Sequence, residues 1–181
     1  MRWGSFRSLR SPRSATSTAS AAGGDTGKNL PVDHGATREP TPDVNLLVYA
    51  YNRDARDHAP ARQWLEGLLS GSERVGLPWA VTCGFIRLMT HPAVLVTPLD
   101  PVRAVAHVQS WFDRSNVEAL EPGPQHLEVL GRLLRDAGVA GSLTTDAHIA
   151  ALAIEHQCEV HSNDADFARF PGLRWRNPLV E

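Results

Sequence analysis

Apolar residues after position 40 fall either in short continuous runs or at helical spacing. Residues 44–50 are almost all apolar, which is typical of a strand buried on both faces of a parallel sheet. We therefore predict a first strand over residues 43–51. Helical spacing relates the next apolar residues, which precede Gly71 and predict a helix: Ala61, Trp64, Leu65, Leu68 and Leu69.

The same alternation continues to the end of the chain. Short apolar runs predict further strands at 75–77, 117–120, 158–161 and 173–175. Helical spacing predicts helices at 81–89, 101–112, 127–134, 144–153 and 165–170, with Asp100 as an N-cap and Asp146 in a first turn. Strands that alternate with helices favour an α/β fold with a central, mostly parallel sheet and helices on both faces.

Residues 1–40 have a different composition. They are rich in Ser, Ala, Gly, Thr and Arg and contain few large apolar side chains, so we predict a disordered tail before one domain at 41–181. The arginines and serines imitate an organellar transit peptide, but no apolar stretch suits a secretory signal or a membrane span. A misassigned start, with the protein beginning near Val32 or Thr41, is an equally open interpretation.

Charge and cysteine content limit the function classes. Residues 40–181 contain 12 basic and 17 acidic side chains, a net charge of −5. Nucleic-acid binding proteins usually carry a basic surface, so any such activity has to rest on a local site. Cys83 and Cys158 have no paired spacing, which favours a reducing, cytoplasmic environment over a disulfide framework.

Four aspartates lie at the ends of predicted elements: Asp43, Asp146, Asp164 and Asp166. Ligands of open α/β sheets bind beyond the carboxyl ends of strands, where we expect Asp164, with Asp146 nearby. Whether Asp43 reaches the same edge depends on the strand order. Converging carboxylates are unfavourable unless a cation compensates. Oxygen ligands of this kind suit Mg²⁺, or Mn²⁺, which would activate a water molecule against a phosphodiester.

Four segments together resemble the PIN domain, and most of all the VapC-type toxins of bacterial toxin–antitoxin systems. They are PDVNLLVYA at 42–50, LPWA at 77–80 with FIRL at 85–88, TDAHIAALA at 145–153, and SNDADF at 162–167. The resemblance covers about residues 41–178. It implies a PIN-like fold and a magnesium-dependent endoribonuclease in which Asp43, Asp146 and Asp164 hold the metal. It also implies an RNA substrate, an antitoxin partner and a homodimer.

One position departs from the family pattern. PIN domains usually have a glutamate just before the Phe-x-Arg segment, and this chain has Gly84 there. The loss of a carboxylate should weaken metal binding or the rate, and it motivates an alternative function, a PIN-fold module that binds RNA or antitoxin without catalysis. Asp166 is a secondary metal candidate that could instead cap a turn, and Arg87 could contact phosphate or pair with a carboxylate.

Several histidines also allow more than one interpretation. His148, two residues after Asp146, could touch a substrate phosphate or simply be an exposed helix residue. A zinc site from His156, Cys158 and His161 is conceivable, but their spacing matches no known ligand pattern.

Overall fold

The structure is a computed structural model that describes residues 39–138, 141 and 143–180. Residues 1–38 of the tail predicted at 1–40 lie outside this range, whereas Pro40 belongs to the first strand. The elements are, in chain order, β1 Pro40–Pro42, α1 Val44–Tyr51, α2 His58–Ser70, β2 Val75–Pro78, α3 Trp79–Met89, α4 Pro101–Phe112, β3 Val117–Leu120, α5 His126–Asp136, α6 Thr144–Glu155, β4 Glu159–His161, a 3₁₀ helix Ala165–Arg169, and β5 Trp175–Arg176. Most of the predicted alternation of strands and helices is therefore confirmed.

The prediction of a first strand at 43–51 is wrong, because this segment is helix α1. Asp43 is the N-cap, in an extended backbone conformation, and its carboxylate accepts a hydrogen bond from the Val44 amide. A continuous apolar run fits a fully buried helix as well as a buried strand, and the capping aspartate decides between them. The first strand is instead β1, which ends immediately before Asp43.

The strands are parallel. β4 lies between β1 and β5, with Pro42 opposite His161 and His161 opposite Arg176. β2 pairs with β3, and β1 also contacts β2. Because β1 and β4 pair in parallel, the residues that follow these two strands emerge at the same carboxyl edge.

Helices flank the sheet, and α6 is deeply buried beyond its first turn. Its residues from Ile149 to Ala153 are all buried, as expected of a helix covered on nearly every side. A second part of the core is aromatic: the Phe85 and Trp111 rings meet edge to face at 4.7 Å, and Tyr51 packs against both. These contacts hold the C-terminal end of α1 against α3 and α4.

The helix ends follow the local chemistry of the sequence. Asp100 caps α4 by accepting hydrogen bonds from Val102 N at 2.9 Å and Arg103 N at 3.4 Å, as predicted. Helix α6 has Leu143 at its N-cap position, which makes no side-chain capping bond. Among the described residues, no helix combines the length and apolar character needed to cross a bilayer.

Candidate active site

Asp43 stands at the junction of β1 and α1. Its amide donates to the carbonyl of His161 at 2.9 Å and so extends the pairing between β1 and β4 by one residue. The side chain is only 5 % exposed. Burial raises the pKa of this carboxyl, hydrogen bonds from Ser162 and Val44 oppose the rise, and the negative charge of Asp164 adds to it. Asp43 is thus a buried acid at the carboxyl edge of the sheet.

Ser162 connects the acids on the two strands. Its hydroxyl, which is fully buried, donates to Asp43 Oδ2 at 2.8 Å. The same oxygen accepts hydrogen bonds from the Asn45 side-chain amide at 3.0 Å and from the Asp164 backbone amide at 2.9 Å. Ser162 therefore fixes the orientation of the Asp43 carboxylate and the course of the chain that carries Asp164.

Asp164 and Asp166 belong to the turn that follows β4. Asp164 caps the 3₁₀ helix, and its Oδ1 accepts a hydrogen bond from the Asp166 amide at 2.9 Å. Asp164 is exposed, whereas Asp166 is half-buried and lies 3.4 Å from the Arg169 guanidinium. The prediction that Asp166 itself caps the turn is therefore wrong, because Asp164 is the capping residue and Asp166 contributes its amide as the donor.

Asp146 lies in the first turn of α6 and is electrostatically coupled to the other three acids. Its pKa is raised to about 6, chiefly by burial and then by the negative charges of Asp43, Asp164 and Asp166. Such coupling requires the four carboxyls to share one region. The structure thus answers the question that the strand order left open, since Asp43 reaches the edge where Asp146 and Asp164 lie.

The chemistry of the donors fits a hard divalent cation, although the side chains are spread. Among the described residues, no three His, Cys, Asp or Glu side chains are grouped closely enough to hold a metal ion as they stand. The site does combine carboxylate oxygens with the amide oxygen of Asn45, which is buried without a hydrogen-bond partner. Oxygen donors with excess negative charge are what Mg²⁺ prefers. The donor atoms therefore suit Mg²⁺ in type but not yet in spacing, and binding would draw the carboxylates together.

Position 84 is beside this site. A Cβ atom at Gly84 would lie 3.2 Å from Val44 Cγ2, one residue from Asp43. A side chain here would start next to the N-terminus of α1, and it would push the Val44 side chain by a few tenths of an ångström. Arg87, one turn further along α3, is exposed and forms no ion pair within the described part of the chain. Its predicted pairing with a carboxylate is not seen.

His148 is not an exposed helix residue. It is half-buried, and its Nδ1 lies 2.8 Å from Nε2 of His126, whose Nδ1 lies 2.6 Å from the Glu155 carboxylate. This chain of contacts joins α5 to α6. The structure therefore gives His148 a packing role at this interface, and the simple exposed interpretation is wrong.

The imagined zinc site does not form among the described residues. His156 Nε2 lies 2.9 Å from the Glu121 carbonyl, and Cys158 is buried. The Cys158 thiol donates to the His156 carbonyl at 3.7 Å, so both side chains make contacts of their own.

Ser162 and Asn45 were not predicted as site residues from the sequence. Both were part of recognisable segments, but a serine after a strand and an asparagine after an acid have many structural uses. The available signal was their position: Asn45 comes two residues after Asp43, and Ser162 comes two residues before Asp164. Only the pairing of β1 with β4 shows that they meet.

Comparisons with known proteins agree with this geometry. The family model described as PIN domain matches residues 41–173. Ribonuclease VapC33 of Mycobacterium tuberculosis is 42 % identical over 140 residues, which cover 77 % of this chain and 98 % of the relative. The matched region contains all the acids described above.

Solved structures share the fold at lower identity. Mycobacterium tuberculosis VapC20, described as a Sarcin-Ricin loop cleaving toxin, matches with a TM-score of 0.55 and 16 % identity over 75 % of this chain and 99 % of that one. A toxin–antitoxin complex from Klebsiella pneumoniae matches with a TM-score of 0.51 and 18 % identity over 77 % and 98 %. At these identities the likeness concerns the fold alone.

Proposed function

The chain belongs to the PIN-domain family, and from this premise we propose that it is a divalent metal-dependent endoribonuclease, the toxin of a toxin–antitoxin pair. The observation that carries the proposal is the placement of Asp43 and Asp164 at one edge of the sheet, both hydrogen-bonded to Ser162, with Asp146, whose pKa is raised by burial, close enough for their charges to raise it further. Such a concentration of negative charge is unfavourable without a cation. The name of the 42 % identical relative, a ribonuclease, supports RNA as the substrate.

Asp43, Asp146 and Asp164 would hold the metal, Mg²⁺ or alternatively Mn²⁺, and Asp166 is a secondary candidate. A bound divalent cation would supply positive charge for the scissile phosphate and would lower the pKa of an attacking water. Asn45 Oδ1, buried and without a hydrogen-bond partner among the described residues, is a further oxygen donor, and the Asn45 side-chain nitrogen donates to the same Ser162 hydroxyl that holds Asp43. No covalent intermediate with the protein is required.

The residues around the acids prepare the site. The Ser162 hydroxyl holds one oxygen of Asp43, and the Val44 amide holds the other at 2.6 Å. Asp43 therefore cannot rotate freely when a cation binds, which reduces the entropy that binding has to overcome. Asp146, with a pKa of about 6, must lose its proton to act as a ligand, so metal binding should weaken as the pH falls below 6.

The partner and the location are part of the same proposal. Solved structures with this fold include a toxin–antitoxin complex, and we extend that assembly to this chain as an expectation. Action in the cytoplasm and a homodimeric state also remain predictions.

The alternative is a binding module that lost catalysis together with the family's glutamate. Gly84 is its only support, whereas the three aspartates and the identity to a named ribonuclease favour the enzyme. The two functions differ in metal-dependent cleavage, because a binding module would leave RNA intact in Mg²⁺.

The proposal can be tested with the full chain and a mixed cellular RNA. We expect RNA cleavage in Mg²⁺ that stops on chelation and resumes when Mg²⁺ is restored. Asp146→Asn should lack this activity, whereas Asp136→Asn, an exposed site at the end of α5 with the same charge change, should retain it. Cleavage that chelation leaves unchanged would refute the metal-dependent mechanism.

A further inference from the structure

Arginine side chains concentrate in one cleft away from the acids. A cleft of about 880 Å³ lies between the C-terminal end of α1, helix α2, the segment before α4 and helix α4. Four of the 12 arginines in residues 40–181 line it: Arg53, Arg62, Arg103 and Arg114. We call this feature the arginine cleft.

Most of this positive charge is not neutralised locally. Arg62 pairs with Glu66 at 2.8 Å, and Glu66 is the one acidic residue among those that line the arginine cleft. Arg53, Arg103 and Arg114 are exposed and form no ion pair with any residue that the structure describes. The arginine cleft is therefore a local positive field in a domain whose net charge is negative.

The lining determines what the arginine cleft can hold. Ala50, Leu65 and Trp111 are buried in its floor, whereas Tyr51, Leu69 and Leu99 are half-buried and partly open to it. Among the charged side chains of the lining, the four arginines outnumber the single acid, Glu66. A planar guanidinium suits phosphate oxygens, with which it can form two parallel hydrogen bonds. The charge of the lining therefore favours a ligand that carries phosphate groups.

The arginine cleft and the acids lie at opposite ends of helix α1. Helix α1 has eight residues, so its two ends are about 12 Å apart. Asp43 caps one end, and Ala50 and Tyr51 at the other end line the arginine cleft. This separation is short enough for a polynucleotide with one phosphate at the acids to place a neighbouring phosphate at the arginines.

We propose that the arginine cleft binds backbone phosphates of the RNA substrate, away from the bond that is cut. This inference rests on the proposed function for the identity of the polyanion. Because phosphates are present at every nucleotide, the contact adds affinity without reading sequence. It also explains how a domain with a net negative charge can hold RNA.

Binding of a fluorescein-labelled, single-stranded RNA oligonucleotide to the full chain in EDTA tests the proposal without cleavage. We expect the double variant Arg103→Gln, Arg114→Gln to bind roughly tenfold more weakly, with the slope of log Kd against log salt reduced by about 1.4. Arg132→Gln with Arg135→Gln, two exposed sites on α5, makes the same charge change and should leave the slope intact. Equal loss in both double variants would overturn the proposal.

Competition identifies the source of the phosphate. Displacement of the labelled RNA by unlabelled RNA, with ATP and poly-glutamate effective only in large excess, would support the assignment. A free nucleotide or poly-glutamate that bound more tightly than RNA would overturn it, the latter in favour of an acidic protein partner. Equal melting temperatures of all variants would show that the exposed substitutions leave the fold intact.

Failure of this inference and failure of the proposed function give different results. If the protein cleaves RNA and the cleft variant keeps the wild-type KM, the arginine cleft has no substrate role while the enzyme stands. If the cleft variant loses RNA affinity but no preparation cleaves RNA, the binding site stands and the catalytic proposal falls.

Discussion

The two ends of helix α1 carry opposite charge in opposite surroundings. At its N-terminus, buried Asp43 lies among hydrogen bonds and other carboxylates. At its C-terminus, the arginine cleft carries exposed guanidinium groups on long side chains. The bulk charge of −5 conceals this separation, which shows that the net charge of a domain is a poor guide to its partners when charges of each sign are segregated.

The two regions should therefore respond differently to change. A preorganised, partly desolvated site loses function when one oxygen is replaced, because its geometry and charge are fixed. Exposed arginines act through a field that salt screens and neighbouring charges can partly replace. Conservative substitutions of the aspartates should therefore abolish function, whereas binding at the arginine cleft should depend mainly on ionic strength.

The largest effect is expected from Asp146→Asn. The substitution keeps the size of the side chain and removes one ligand charge, so Mg²⁺-dependent RNA cleavage should fall more than about 100-fold. Initial rates at saturating Mg²⁺, with Asp136→Asn as the charge-matched control, measure the effect. An Asp146→Asn rate within a few-fold of wild type would remove Asp146 from the proposed metal set.

Ser162→Ala should have the second largest effect. It leaves the Asp43 carboxylate in place but removes the hydrogen bond that orients it. Loss of the hydroxyl removes the hydrogen bond to Asp43 and two others, and we expect Mg²⁺ affinity to fall by about 10- to 100-fold. Calorimetric titration with Mg²⁺ measures this directly. Ser162→Thr, which restores the hydroxyl, should recover part of the affinity; equal affinities of the alanine and threonine variants would argue against an orienting role.

The stability of the metal-free protein should depend on pH through Asp146. Its folded pKa of about 6 exceeds that of an unfolded aspartate, so between about pH 4 and 6 the folded state binds more protons. Rising pH in this window should therefore lower the free energy of unfolding, by on the order of 1 to 2 kcal/mol after allowance for solvent screening. Guanidinium unfolding across this range should show a flatter dependence in Asp146→Asn. Identical pH dependence in both proteins would contradict the assigned pKa.

Gly84→Glu should give the smallest change. It adds a carboxylate beside the N-terminus of α1, and we expect Mg²⁺ affinity to rise by less than about tenfold. Gly84→Gln introduces the same contact with Val44, where a Cβ atom would lie 3.2 Å away, so the difference between the two variants isolates the charge. Equal affinities would mean that position 84 does not supply a ligand in this chain.

Local chemistry made much of the fold predictable. The Asp100 cap follows from short-range hydrogen bonding and was predicted from neighbouring residues alone. The run after Asp43 was misassigned because complete burial removes the periodicity that separates a helix from a strand. Because the predicted strand begins at Asp43, the sequence could not show that Asp43 lies at the carboxyl edge of the sheet.

Long-range arrangement was the part that the sequence could not provide. Ser162 meets Asp43 only because β1 pairs with β4, and the two residues are 119 positions apart. The arginine cleft gathers side chains from Arg53 to Arg114 across α1, α2 and α4. Neither set has a fixed spacing along the chain, so neither produces a sequence pattern.

Mg²⁺ titration of the full chain and of Asp43→Asn, followed by calorimetry, tests most directly whether the buried acids form a metal site. We expect wild type to bind Mg²⁺ and Asp43→Asn to lose at least about 100-fold in affinity. Because the substitution removes a buried negative charge, the metal-free variant should be at least as stable as wild type. Undiminished Mg²⁺ binding by a folded Asp43→Asn protein would contradict the account.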